Sequence, residues 1–451
     1  MKQQDLYSYI ACIDPDRVAL VTPQGSTKYG SLTNCHWAGA QSASVVVFCR
    51  EIEQSIRAMI ALDGSVASLC ILPSTLSTKD VGALLALWNF DTVITDADVV
   101  MQKVFKDHGL VCVDLSAAFT QTPVQDRYAS TQWLVPTSGT TSAPKLVVHT
   151  FQSLARVGRA THKIDDVPQV WGMLYDITRF AGYQVFFQAL LSGHTLAFAS
   201  LESPMDKRIS FFSKHNVAYM SATPTLWRKI LMAPTNQTLS PVQITLGGEA
   251  ADQPTLDSLS VTYPDARITH IYASTEAGVG LAVSDGRAGF PTSYLDKPHG
   301  GVEIKLSEGM LFVRSAIGPM GYAGDKCLAD ADGWVNTGDL VSIDTDRFYI
   351  IGRESGIINV GGDKVVPEQV RDALLACEIV RDALVYGKKN PFTGGIVAAD
   401  IVLNQHADQT DAQKEIDDFL ALRLSKQQRP RFVRFVQELE ITSAGKAALK
   451  K

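Results

Sequence analysis

The chain lacks any apolar run long enough to cross a membrane. Its longest, 185–198, is interrupted by Gln188, Ser192, Gly193 and His194, whereas a span needs roughly 18–20 apolar residues. The opening stretch MKQQDLYSYIACIDPDRVAL has neither a long apolar core nor the cleavage pattern of a secretory leader. Cysteine is sparse and scattered: Cys12, Cys35, Cys49, Cys70, Cys112, Cys327 and Cys377 are odd in number and form no CxxC pair. That excludes a disulfide scaffold and predicts reduced, mostly buried thiols. The nine histidines form no HExxH and no cluster with cysteine, so zinc is not expected. A basic surplus is missing too, with 41 Lys and Arg against 47 Asp and Glu. Nucleic acid would require a concentrated basic face. Repeats and low-complexity segments are absent. The expectation is a cytoplasmic protein without a membrane span or a nucleic-acid partner.

What is there is length and pattern. The 451 residues exceed one ordinary core and predict two or more domains. Strand-like runs at 18–22, 45–49, 67–72 and 92–95 alternate with helical spacing at 51–62 and 81–88. Later strands are expected at 195–199, 217–221, 243–246 and 267–271, with helices at 151–163, 182–191 and 224–232. The fold class is α/β: a large layered N-terminal domain of β-sheets with helices, then a small mobile α+β C-terminal domain. The expected division is 1–352 and 353–451.

The segment 133–150, WLVPTSGTTSAPKLVVHT, brings two β-capable runs together around a hydroxyl-rich loop. This predicts a hairpin whose tip binds a ligand. Hydroxyls, free backbone N–H groups and one Lys suit a polyphosphate. It is not a Walker A loop, because Pro144 stands five residues after Gly139 and Leu146 follows Lys145.

Five further segments follow. Gly247-Gly248-Glu249-Ala250 and Ile271-Tyr272-Ala273-Ser274-Thr275-Glu276 each close a predicted strand. Asp332-Gly333-Trp334-Val335-Asn336-Thr337-Gly338-Asp339 and the Gly352-Arg353 stretch come next. Ile441-Thr442-Ser443-Ala444-Gly445-Lys446 lies last, five residues before the end of the sequence. Singly these read as turns, strand ends or a solvated tail. An aromatic ring can stack on a base, a carboxylate can accept from two hydroxyls, and a carboxylate beside phosphates calls for Mg²⁺.

Together and in this order the segments resemble the adenylate-forming (AMP-binding) superfamily of acyl- and aryl-CoA synthetases, peptide-synthetase adenylation domains and luciferases. The resemblance runs from about Leu134 to the end. It departs at Ser142 and Ala273, where the family has Gly, and at Ser355, where a hinge Asp or Lys is usual. It implies nucleotide binding by Thr137, Ser138, Gly139, Thr140, Thr141, Lys145, Gly248, Glu249, Ala250, Tyr272, Asp339 and Arg353. Catalytic roles fall to Lys446, Thr275 and Glu276, with Glu276 holding the metal. Ser355 marks the hinge, and Gly361 and Gly362 the thiol side.

The implied reaction is ATP-dependent acyl-adenylate formation with release of pyrophosphate, then thioester formation with CoA or a carrier protein's phosphopantetheine. The cofactors are ATP, Mg²⁺ and CoA or phosphopantetheine. The implied partners are a small carboxylic acid and, where the acceptor thiol is phosphopantetheine and not CoA, an acyl carrier protein. Transfer to an amine, or a non-catalytic nucleotide-binding role, are the alternatives. The acyl pocket is expected from Tyr175, Asp176, Arg179, Phe180 and Ala222. In it Asp176 resembles the amino-binding Asp of amino-acid-activating domains, while Arg179 suits a second carboxylate.

Overall fold

The computed structural model describes residues 5–121, 130–137, 144–160, 164, 165, 167–324, 327–390, 394–404, 409–441, 447 and 448. Of the residues singled out above, Ser138, Gly139, Thr140, Thr141, Ser142, Thr442, Ser443, Ala444, Gly445 and Lys446 lie outside them. Two large sheets dominate. An eight-stranded sheet has at its centre the parallel strands Arg267–Ser274, Gln243–Leu246, Tyr219–Ala222, Val170–Met173 and Thr195–Ala197, in that spatial order. A seven-stranded sheet carries the expected hairpin: Gln132–Thr137 pairs antiparallel with Lys145–Thr150, Thr137 opposite Lys145. Gly321–Tyr322 closes that edge, with Tyr322 opposite Val147.

The main core includes residues of both large sheets and is rich in rings. Trp133 meets Tyr183 edge-on at 5.7 Å between centroids and Phe187 at 5.9 Å. Its buried indole N–H is satisfied by Asp63 at 2.8 Å. The helix Phe180–Leu191 buries most of its circumference, which explains the apolar run met in the sequence. Each of its large apolar side chains contributes roughly 1.5–3 kcal/mol by leaving water. Among the described residues no helix is long and apolar enough to cross a membrane.

A five-stranded antiparallel sheet follows, containing Val335–Asp344 and Arg347–Arg353. Sheet membership then changes. A short turn at Glu354–Gly356, containing Ser355, leads into a separate sheet of Ile358–Val360, Asp363–Val365, Val380–Asn390, Gly394–Leu403 and Phe432–Phe435. The helices Pro367–Leu375 and Gln409–Ala421 accompany it, and its core is its own.

Three expectations need correction. The helix expected over 151–163 is two short helices, Phe151–Leu154 and Arg156–Ala160, although Thr150 caps the first as expected. The Thr337-Gly338-Asp339 segment lies inside a strand, with Gly338 at φ +69°. Only Cys49, Cys70 and Cys377 are buried; Cys12, on a turn, and Cys327, in an irregular segment, are exposed.

Candidate active site

The ends of three sheets converge on one polar cluster. Arg267–Ser274 delivers Tyr272, and its exit turn delivers Thr275 and Glu276. Val335–Asp344 delivers Asp339, and Arg353 stands opposite it in the paired strand. Asp339 is only 4% exposed, so its charge must be satisfied. Tyr272 Oη donates to its Oδ2 at 2.5 Å, and Arg353 Nε donates to its Oδ1 at 2.9 Å. Burial, and then the Asp339 charge, push the Tyr272 phenol well above its ordinary value, so it remains a donor. Burial works against the Arg353 charge, but Asp339, Glu276 and Tyr272 outweigh it and raise the guanidinium pKa. The Arg353 side chain nevertheless stays 52% exposed, open to a ligand.

Tyr322 was not read from the sequence, because nothing local marks it. The edge pairing Val147–Tyr322 brings it to the site. Its ring lies under Lys145 Nζ, 4.9 Å from the centroid. Its hydroxyl faces Glu276, and burial first, then that carboxylate, push its pKa up to about 12. Lys145, Tyr322, Glu276, Arg353, Asp339 and Tyr272 thus form one linked group next to the end of the hairpin.

His149 was also missed, although it lies only four residues beyond Lys145. It is fully buried, and its Nε2 donates to the Thr275 carbonyl at 2.9 Å. Nδ1 meets Ser153 Oγ at 2.9 Å, and the ring stacks on Phe180. A carbonyl partner requires the proton on Nε2. Burial lowers its pKa to about 4, so it is neutral and acts as a tether between the hairpin strand and the Thr275-Glu276 turn.

On the acyl side Tyr175 is buried, and its hydroxyl donates to the Gly247 carbonyl at 3.5 Å and faces Ser221. Phe180 packs in the same core. Ala222 does not join them: it lies in the second core with Leu174 and Trp227. Side chains alternate along a strand, so Ser221, not Ala222, faces Tyr175. Asp176 is turned to local work, its Oδ1 accepting from Thr178 N at 2.9 Å and Thr178 Oγ1 at 2.8 Å. Arg179 is the N-cap residue of Phe180–Leu191, and burial lowers its pKa.

Gly248 has φ +81°, a conformation that favours glycine at this turn. Glu249 Oε2 accepts from Thr225 N at 3.1 Å, and Ala250 is half-buried. Thr137 ends its strand, half-buried. Gly361 and Gly362, at φ +62° and +100°, form the two-residue turn of an exposed hairpin in the second domain.

Among the described residues no three His, Cys, Asp or Glu side chains gather into a metal cage. A single carboxylate such as Glu276 suits Mg²⁺ in company with phosphate oxygens and water, so the donor set fits a nucleotide-bound Mg²⁺.

The match to known families is direct. The AMP-binding enzyme family model matches residues 38–315, and the AMP-binding enzyme C-terminal domain model matches 369–446. The chain belongs to the AMP-binding enzymes, the adenylate-forming superfamily. The match starts well before Leu134, where the motif resemblance began.

Among curated relatives, a 2-succinylbenzoate–CoA ligase of Staphylococcus epidermidis is 26% identical, over 70% of this chain and 68% of its own length. A 4-hydroxybutyrate–CoA ligase of Metallosphaera sedula is 28% identical, over 69% and 59%. The chain therefore spans between about three fifths and two thirds of these two relatives. Among solved structures, an anthranilate CoA ligase in complex with anthranoyl-AMP superposes with a TM-score of 0.82 at 16% identity, covering 99% of this chain and 96% of that one. The o-succinylbenzoate coenzyme A synthetase of Bacillus subtilis, in complex with ATP and magnesium ion, gives 0.74 at 20% identity, with 98% of each chain covered.

Proposed function

We propose that the chain is an acid–thiol ligase that activates a carboxylic acid with ATP. A carboxylate oxygen bonds to the α-phosphorus, the bond to the pyrophosphate oxygen breaks, and acyl-AMP and pyrophosphate form. The sulfur of CoA then bonds to the acyl carbon, AMP leaves with the electron pair, and the thiol proton goes to solvent. A carrier protein's phosphopantetheine offers the same thiol. The acid is already ionised near neutral pH, so no general base is needed for the first step. Alignment and charge stabilisation are what the protein must supply.

The observation that carries this reading is the linked group of Asp339, Tyr272, Arg353, Glu276, Tyr322 and Lys145 in a chain of this family. Asp339 and Arg353 hold the ribose, and Tyr272 and the Gly248-Glu249-Ala250 backbone flank the base. Thr137, Lys145 and Thr275 meet the phosphates together with Ser138, Gly139, Thr140 and Thr141. Glu276 holds Mg²⁺, which when bound neutralises phosphate charge. Lys446 stabilises the charge that develops at the α-phosphate. Tyr175, Ser221 and Phe180 bound the acyl pocket. The Tyr175 hydroxyl spans the gap to Gly247, which favours a compact acid over a long alkyl chain. The domain boundary lies at 352/353, with Ser355 at the hinge, and Gly361-Gly362 serves the thiol step.

The test is acid-dependent pyrophosphate release with ATP and Mg²⁺ over a panel of aryl, short acyl and amino acids, with CoA and with amines as acceptors. We expect release with compact acids and a thioester product. Lys446→Ala is expected to slow release by about a hundredfold or more. ATP binding without turnover on any acid would overturn the catalytic reading, and an amide product would replace the thiol acceptor.

A further inference from the structure

Away from the nucleotide group, a second ion cluster joins the two domains. Arg228, on the helix Pro224–Met232, lies at its centre. One guanidinium nitrogen donates to Asp252 Oδ2 at 2.9 Å and is 3.4 Å from Thr255 Oγ1; the other donates to Thr225 Oγ1 at 3.0 Å. Its Nε lies 3.3 Å from Asp382 Oδ1, across the boundary in the strand Val380–Asn390. The side chains of Arg228, Asp252 and Asp382 are 10%, 11% and 8% exposed. Arg371, on the second domain's helix Pro367–Leu375, faces Asp372, Glu249, Asp252 and Glu368. The interface therefore sets two guanidinium groups against the carboxylates of Glu249, Asp252, Glu368, Asp372 and Asp382. Burial holds Asp372 and Asp382 above the usual carboxylate range despite the arginines. With acids in excess, Asp252 and Asp382 can stay close only while Arg228 stands between them.

The cluster also reaches the nucleotide segment. Arg228 holds the Thr225 hydroxyl, and the Thr225 backbone N–H holds Glu249. In the same arrangement the Gly361-Gly362 hairpin is exposed, and among the described residues a Cβ on Gly362 would meet nothing within 4 Å. The domains are thus docked with the thiol-side hairpin away from packed contact with the described residues.

We propose that Arg228 is a positioning residue: it clamps the second domain through Asp382 in the acid-activating arrangement and ties that docking to Glu249 through Thr225. The half-reaction part of this inference rests on the function proposed above; the clamp itself does not. Weakening the clamp favours undocking and so slows acid activation relative to thioester formation from preformed acyl-AMP.

Two measurements on the full chain test it. Hydrogen exchange reads docking without any substrate. Arg228→Ala and Asp382→Asn should both speed exchange at 367–375 and 380–384, with the core strands unchanged and Arg228→Lys intermediate. The second measurement is the ratio of acid-dependent pyrophosphate release to thioester formation from supplied acyl-AMP. It should fall by about fivefold or more in Arg228→Ala, as a coupling of ordinary size would give, less in Asp382→Asn, and recover in part in Arg228→Lys. Asp382→Asn leaves the Arg228–Asp252 contact in place, so it decides the matter if Arg228→Ala unfolds. Unchanged exchange in Asp382→Asn overturns the clamp. Faster exchange with an unchanged ratio overturns the coupling to acid activation. If no acid is activated by wild type, the exchange result still decides the clamp, and the function reading fails separately.

Discussion

Two arginine–carboxylate clusters in this chain use the same chemistry in opposite settings. At the nucleotide group, Arg353 pairs with Asp339 while its side chain stays 52% exposed. At the domain interface, Arg228 meets Asp252 and Asp382 with all three side chains at 11% exposure or less. In this half-open pair Asp339 is buried but Arg353 is not, so the arginine keeps donors free to turn towards an incoming ligand. A closed pair cannot do that; it holds geometry, and removing one partner strands a buried charge. Exposure, more than charge, separates a binding group from a clamp.

The comparison is broken most directly by removing each arginine. Arg228→Ala should cost on the order of 4 kcal/mol in thermal or denaturant unfolding, as expected when one member of a buried pair is lost. Arg353→Ala should cost less, about 1–3 kcal/mol, because Arg353 itself is half-exposed and Tyr272 still donates to the buried Asp339 carboxylate. Equal losses would erase the distinction drawn here.

His149 sharpens the same point with a buried group that carries no charge. Its folded pKa of about 4 lies below the ordinary 6.5, so the unfolded chain takes up the proton first as pH falls. Stability should therefore be full above pH 6.5 and decline towards about 4, by roughly 3 kcal/mol at 1.4 kcal/mol per pH unit. In His149→Gln that part of the pH profile should flatten. A wild-type curve level over this range would contradict the buried neutral tether.

On the open side, Asp339→Ala should raise the KM for ATP by roughly thirtyfold, since hydrogen bonds to a charged acceptor are worth about 2 kcal/mol. Melting should change less than in Arg228→Ala. A KM within twofold of wild type would remove Asp339 from the nucleotide site. The smallest effect is expected for Tyr322→Phe, about fivefold in the Mg²⁺ concentration needed for half-maximal pyrophosphate release. A loss that excess Mg²⁺ cannot recover would point to Tyr322 acting elsewhere than through Glu276.

Much of the architecture was legible in the chain. The strands 18–22, 92–95 and 243–246 and the helix 224–232 stand where period and capping put them. Their signals are local: alternation, a Pro at the helix start, a polar cap. The hairpin around 138–143 was readable for the same reason. Within the stretch 221–225 expected to line the acyl pocket, strand alternation turns Ser221 towards Tyr175 and Ala222 into the second core.

The sequence by itself determined the alternation of elements, the ordered motifs and hence the family, because each is written in residues a few positions apart. Only the tertiary structure decided the partners. Tyr322 reaches Glu276 through an edge pairing with the hairpin strand, His149 grips Thr275 across 126 positions, and Arg228 finds Asp382 in the other domain. Such contacts are set by sheet register and domain docking, and burial then determines whether a charge stays open to a ligand or is shut into an interface.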